Sequence, residues 1–263
     1  MKIGISTASL FMRLYNEDAV ALISEWGVGT AEVFLTSFSE YEPRFAETLH
    51  RKKGNLSVNS VHVLNTQFEP QLFSDHPRVR ADAYSLLEKV LASANVLGAE
   101  HYTFHGLARL KSTFREDLVK SGNKIAQIYD FCKERGVKLC LENVEWALYN
   151  RPEVFREIRR YCPDLGAVLD IKQARISGNS YQKYLEGMGQ GLAYVHACDF
   201  SEDGKNCLPG KGRFDFEELF RILKGSGFDG AVIIENYGND YRELKELKDS
   251  YDYLSETAEK IFR

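Results

Sequence analysis

The chain has 263 residues, of which 44% are hydrophobic and 27% charged, and a formal net charge of −4. That length fits one α/β barrel of about 250 residues, and the composition is that of an ordinary globular protein. A net negative chain lacks the basic footprint of a nucleic-acid binder, and no apolar run approaches the ~18 residues of a membrane span, so neither partner is expected.

Strand-like apolar runs begin near Lys2, Ala31, Val58, His101, Val137, Leu165, Leu192 and Ala231. The intervals between them are all long enough for a crossover helix, and none is a two-residue hairpin. Asn16-Glu-Asp reads as a helix opening with a cap residue and first-turn acids, ending before Gly27. Val79 to Leu97 carries apolar residues at three- and four-residue spacing and stops at Gly98. Leu118 to Cys132 repeats the pattern. Asn150-Arg-Pro opens another helix, a short one is expected over Ser180 to Met188, and Asp215 to Leu223 and Tyr241 to Phe262 complete the set. Eight strand–helix units, with no linker or low-complexity tract, predict a (β/α)₈ TIM barrel spanning residues 1–263 as a single domain. A doubly wound open sheet is the competitor. Its glycine-rich nucleotide loop is missing, because Thr7-Ala-Ser-Leu-Phe follows the first strand.

The last four strands share one design. Leu139-Cys-Leu-Glu142, Val168-Leu-Asp170, Tyr194-Val-His196 and Ile233-Ile-Glu235 each close a buried run with a ligand-type residue. Carboxyl-terminal strand ends converge on one mouth of a barrel, where active sites sit. Glu142, Asp170, His196 and Glu235 would therefore form a mixed O/N site suited to one divalent metal ion, Mn²⁺, Mg²⁺, Co²⁺ or Zn²⁺. Without a cation, three converging carboxylates would repel one another.

The chain also resembles the xylose isomerase-like TIM barrels, a family that includes sugar (phosphate) isomerases and epimerases and AP endonucleases. The resemblance rests on Leu141-Glu142-Asn143, Leu169-Asp170-Ile-Lys-Gln-Ala, His196-Ala-Cys-Asp199, Leu208-Pro-Gly-Lys-Gly-Arg-Phe-Asp215 and Gly227 to Asn236. It implies a metal-dependent isomerase or epimerase that moves a proton next to a carbonyl of a ketose or ketose phosphate, through a metal-bound enediolate. It further implies that Glu142, Asp170, His196 and Glu235 bind the metal and that Glu142 and Glu235 also exchange the proton. A small carbohydrate substrate and a homo-oligomer belong to the same expectation. An inosose-type dehydratase on the same metal site is the alternative. A metallonuclease is disfavoured because Gln173 stands where the nuclease branch has a histidine, and a non-catalytic sugar-binding barrel is the remaining rival.

Around the quartet, Lys172, His105, His62, Asn143 and Trp146 are expected to contact substrate, and His62 and His105 are also candidates for a second metal. Asn143 could instead orient Glu142. Glu32 is expected to point inward near the pocket. Lys205, Lys211 and Arg213 around Pro209-Gly-Lys-Gly212 raise a phosphate site after strand seven, a weak signal on two glycines. Cys198 reads as a core residue rather than a nucleophile. Five cysteines, odd in number and without Cys-x-x-Cys spacing, argue for a reducing compartment. With a strand pattern starting at Met1-Lys-Ile-Gly and no apolar leader, a cytoplasmic protein is expected.

Overall fold

The computed structural model describes residues 1–64, 68–109 and 117–262. Eight parallel strands close a barrel: β1 (Lys2–Ser6), β2 (Thr30–Leu35), β3 (Ser57–Val63), β4 (His101–Phe104), β5 (Lys138–Glu142), β6 (Gly166–Asp170), β7 (Leu192–Ala197) and β8 (Ala231–Ile234). Neighbours in sequence are neighbours in the sheet, and β8 returns to β1 in register, with Ile3 opposite Val232 and Ile5 opposite Ile234. All eight strands lie where the apolar runs predicted them. A two-stranded antiparallel hairpin, Asp199–Phe200 with Asn206–Cys207, projects beyond β7.

The helices are α1 (Asn16–Glu25), α2 (Pro43–Lys52), α3 (Pro77–Leu97), α4 (Leu118–Lys133), α5 (Pro152–Ile158), α6 (Ile171–Ile176), α7 (Tyr181–Met188), α8 (Phe216–Gly225) and α9 (Leu244–Phe262). Three starts differ from expectation for local reasons. α3 begins two residues early because Pro77 suits the first turn, where no amide is needed. α9 begins three residues late, since Glu246 Oε1 accepts the amides of Arg242 and Glu243 and fixes the helix start behind them. Asn16 is not the cap of α1 but its first residue. Its side chain instead bonds Thr7, Glu40 and the Phe34 carbonyl, tying the first helix to the β2 end. Gly98, at φ 72°, ends α3 in the left-handed conformation that glycine adopts without penalty.

Alternation along the strands sorts the side chains into two environments. Ala31, Val33, Leu35, Val61, Val63, Leu139, Leu141, Val195 and Ile234 face the helices and form the main core. The inner set is layered along the barrel. Cys140, Val168, Tyr194, Ala231 and Ile233 make a small separate apolar cluster at the bottom. Above it, Ser6, Glu32, Ser60 and Thr103 are fully buried and joined by hydrogen bonds. Two residues further along the strands, the interior ends in ionisable groups at the mouth. Gly4 sits where β1 and β2 come close, and a Cβ there would meet the Thr30 carbonyl oxygen at 2.6 Å.

Candidate functional site

Register explains why the strand-end residues meet. Asp170 on β6 pairs directly with His196 on β7, and His196 with Ile233 on β8, two residues before Glu235. Glu142, Asp170, His196 and Glu235 are all buried, and one ligand-type atom from each lies within 4.8 Å of the others. His196 Nδ1 is 3.1 Å from both Glu142 Oε1 and Glu235 Oε2. The other oxygens of the two glutamates turn away. Among the described residues Glu142 Oε2 has no hydrogen-bond partner, with His105 Nε2 at 3.3 Å, while Glu235 Oε1 lies 3.5 Å from His62 Nδ1.

The other ring nitrogen of His196 is held from below. Nε2 lies 3.2 Å from Glu32 Oε2, which also accepts from Ser60 Oγ at 2.9 Å and Thr103 Oγ1 at 2.7 Å. Glu32 Oε1 accepts from Ser6 Oγ at 3.1 Å and faces His62 Nδ1 at 3.2 Å. The inward polar residue expected on β2 is thus the hub beneath the cluster, orienting two histidines at once.

His62 stands on β3 and His105 directly follows the adjacent β4, with their Nε2 atoms 2.8 Å apart. His105 Nδ1 is anchored 3.1 Å from Glu69 Oε2, and the same carboxylate accepts the His105 and Gly106 amides and, through Oε1, the Tyr102 hydroxyl. Sequence reasoning missed Glu69, a completely buried acid in a short 3₁₀ turn after β3. Its signal was slight, since Glu-Pro-Gln reads as a surface turn. His62, His105 and Glu142 form a second grouping close enough to share an ion, and Glu32, His62 and Glu235 a third.

Charge balance sets the proton distribution. Burial opposes ionisation of Glu32 and Glu142, yet the facing histidines hold both well below the usual carboxylate range. Burial likewise opposes charge on His196, but Glu32, Glu235 and Glu142 raise it well above the ordinary imidazole value. His105 reaches about 10, burial being outweighed by Glu69 and Glu142. Asp170 is pushed up to about 7 by burial, with Glu142 and Glu235 adding and Lys172 opposing. Protonated histidines thus supply positive charge that a divalent cation would supply on binding. Three buried carboxylates, one imidazole and an unbonded Glu142 oxygen are a donor set that fits such a cation.

A cavity of about 50 Å³ opens over the cluster, lined among others by Phe34, His62, His105, Trp146, Lys172, Gln173 and Tyr237. Trp146 packs against His105, ring centroids 5.5 Å apart. Asn143 departs from the expected substrate contact. It is fully buried, and its amide bonds the Asp170 backbone twice, donating to the carbonyl at 3.0 Å and accepting the N–H at 2.6 Å. It fixes the end of β6 that carries Asp170. Gln173 uses its side-chain oxygen on the Glu145 amide.

The loop after β7 is organised from within. Asp199 accepts the Gly210 and Gly212 amides, each at 3.0 Å, and those of Phe200 and Phe214. Those amides are therefore not free to cradle a phosphate. Lys205 pairs with Asp203, and Arg213 with Glu202, at the surface. Burial pushes the Cys198 thiol up, in keeping with a core residue. No helix among the described residues is long and apolar enough to cross a membrane.

Comparison with known proteins places this geometry in context. The family model described as xylose isomerase-like TIM barrel matches residues 20–257. A protein of Methanocaldococcus jannaschii is 25% identical over 99% of this chain and 92% of its own length. The D-psicose 3-epimerase of Agrobacterium fabrum is 21% identical over 88% of this chain and 84% of its own. Among solved structures, a D-tagatose 3-epimerase-like protein superposes with a TM-score of 0.80 at 24% identity, covering 100% of this chain and 98% of the other. A zinc-bound IolI protein superposes with a TM-score of 0.80 at 17% identity, covering 100% and 99%.

Proposed function

Because the chain belongs to the xylose isomerase-like TIM barrel family, we propose that it is a divalent-metal-dependent sugar isomerase or epimerase acting on a ketose. The observation that carries this reading is the buried meeting of Glu142, Asp170, His196 and Glu235 within 4.8 Å at the barrel mouth. These four would hold the ion. When bound, it supplies Lewis acidity toward a carbonyl and its neighbouring hydroxyl, which acidifies the adjacent C–H. The D-psicose 3-epimerase of Agrobacterium fabrum, similar along most of the chain, supports the substrate class.

The protein's own groups then divide the work. Glu142 and Glu235 each turn one oxygen toward His196 and one away. The outward oxygens, Glu142 Oε2 and Glu235 Oε1, are the atoms suited to take and return a proton. Removal by one and return by the other, on opposite faces of the carbon, inverts the centre. Return by the same glutamate to the neighbouring carbon gives aldose–ketose isomerisation instead. His105, anchored by Glu69, and His62, anchored by Glu32, flank those oxygens and hold them in place. Phe34 and Trp146 provide apolar wall against which a sugar can exclude water.

Metal content of protein purified without chelator, for wild type and Asp170→Ala, tests the reading. About one divalent ion per chain in the wild type, lost in the variant, together with solvent-deuterium exchange into a ketose, is the expected result. Absence of metal even after reloading would overturn it. About three zinc ions per chain would favour a nuclease-like site that recruits His62 and His105.

A further inference from the structure

Lys172 carries a charge that the cluster balances without hydrogen-bonding it. Its side chain is 4% exposed, and among the described residues its ammonium has no hydrogen-bond acceptor. The nearest charges are Asp170 Oδ2 at 3.7 Å and Glu235 Oε2 at 3.9 Å. The Tyr237 ring lies over it, 4.6 Å from Nζ to the centroid. Among the described residues that line the cavity, no other lysine or arginine is found. Its ammonium lines the cavity with no hydrogen bond to a described residue, so its donors are open to a ligand that enters there.

The reading of the quartet as a divalent-metal site sharpens the point. Asp170 and Glu235 are the carboxylates that offset Lys172, and a bound dication would draw on the same two groups. Lys172 would then face a like charge, and an anion entering the cavity would relieve both. An acceptor at about 2.8 Å from Nζ falls in the small space shared with Asp170 and Glu235. The anionic group must therefore sit beside the reacting carbonyl, not at the far end of a sugar chain.

A phosphate is the wrong anion for this place. Phosphate sites gather several donors, commonly backbone amides of a glycine-rich turn. Here the Gly210 and Gly212 amides are committed to Asp199, and Lys205 and Arg213 are paired at the surface. Lys172 and the protonated His105 in the lining of this small cavity, with no described ring of free amides, suit a carboxylate. We propose that the site takes a keto sugar acid, whose carboxylate, bonded to the carbonyl carbon, is held by Lys172. The inference rests on the metal-site reading above.

The test is equilibrium binding to Mn²⁺-loaded protein of D-fructose and 2-keto-D-gluconate, which differ only in a hydroxymethyl or a carboxylate on the carbonyl carbon. The acid is expected to bind roughly 10- to 100-fold tighter, the scale of one charge-assisted hydrogen bond. In Lys172→Met, compared once it has been saturated with Mn²⁺, that preference disappears. Lys172→Arg, which keeps the charge, retains the preference and serves if the methionine variant does not fold. Equal affinities in the wild type overturn the proposal, as does a preference that survives in Lys172→Met, because the ion alone would then hold the carboxylate. Tighter binding of fructose 6-phosphate than of the acid overturns it in favour of a phosphate. Failure of the wild type to bind Mn²⁺ refutes the metal reading itself, whereas Mn²⁺ bound without acid preference refutes this inference alone.

Discussion

Replacing Glu32 by glutamine probes how the site is held together from beneath. The side chain keeps its volume but loses its charge, and one acceptor oxygen becomes a donating amide. Oε2 serves three donors, Ser60, Thr103 and His196, so the new NH₂ falls on the side of Ser6 and His62. Ser6 Oγ and His62 Nδ1, at 3.1 and 3.2 Å, would then face a donating amide, and His196 Nε2 would keep an oxygen acceptor that has lost its negative charge. Mutation of the outer partner of a metal-ligating histidine typically costs 10- to 100-fold in metal affinity, about 1.4–2.7 kcal/mol, and exchange of its carboxylate for a neutral amide oxygen belongs at the lower end. The donor mismatch, in a residue fully removed from solvent, adds about 1–3 kcal/mol of lost fold stability. Competition titration of Mn²⁺ against a chelator, on wild type and Glu32→Gln of matched circular dichroism, measures the first. Thermal unfolding measures the second. A folded Glu32→Gln protein with wild-type metal affinity would refute the role given to Glu32.

Three further outcomes follow from the same geometry. Metal affinity should climb with pH through about 7, because the Asp170 carboxyl, raised to about 7, keeps its proton below that point and must release it to bind. The slope is about tenfold per pH unit for that proton, and a flat profile from about pH 5.5 to 8.5 would contradict it. Asn143→Ala strips the Asp170 backbone of both partners and leaves a buried N–H unpaired, costing about 1–3 kcal/mol and lowering metal retention; denaturant titration beside metal analysis checks both. Gly4→Ala drives a methyl against the Thr30 carbonyl and should destabilise by about 1–3 kcal/mol without changing metal stoichiometry, so an unaltered unfolding midpoint would be inconsistent with that close approach.

How much of this was legible in the sequence divides along a physical line. Local patterns carried the strands, since buried parallel strands are apolar runs, and carried most helices, since their stops are glycine and their starts proline or a cap. The meeting of Glu142, Asp170, His196 and Glu235 also followed from local facts, each residue closing its own strand in a fold that gathers strand ends. What stayed hidden depends on register between distant segments. Glu69 faces His105 only because the turn after β3 folds back over β4, and nothing in Glu-Pro-Gln announces it. Asn143 looked like a pocket residue because it adjoins Glu142, but the next position on a strand points to the other side, where the Asp170 backbone waits. Asn16 looked like a cap for the same reason. Its partners, Thr7, Phe34 and Glu40, come from elsewhere in the chain.

The packing of Trp146 on His105 gives the protein an optical handle. The chain has only two tryptophans, and the other, Trp26, follows α1 on the outer shell. A protonated imidazole beside an indole quenches its emission, and His105 is held protonated by Glu69 and Glu142. An ion drawing on Glu142, or a sugar sliding against the indole, alters that contact directly. In a Trp26→Phe background, the emission of one residue would then follow the filling of the barrel mouth in real time, with no label attached.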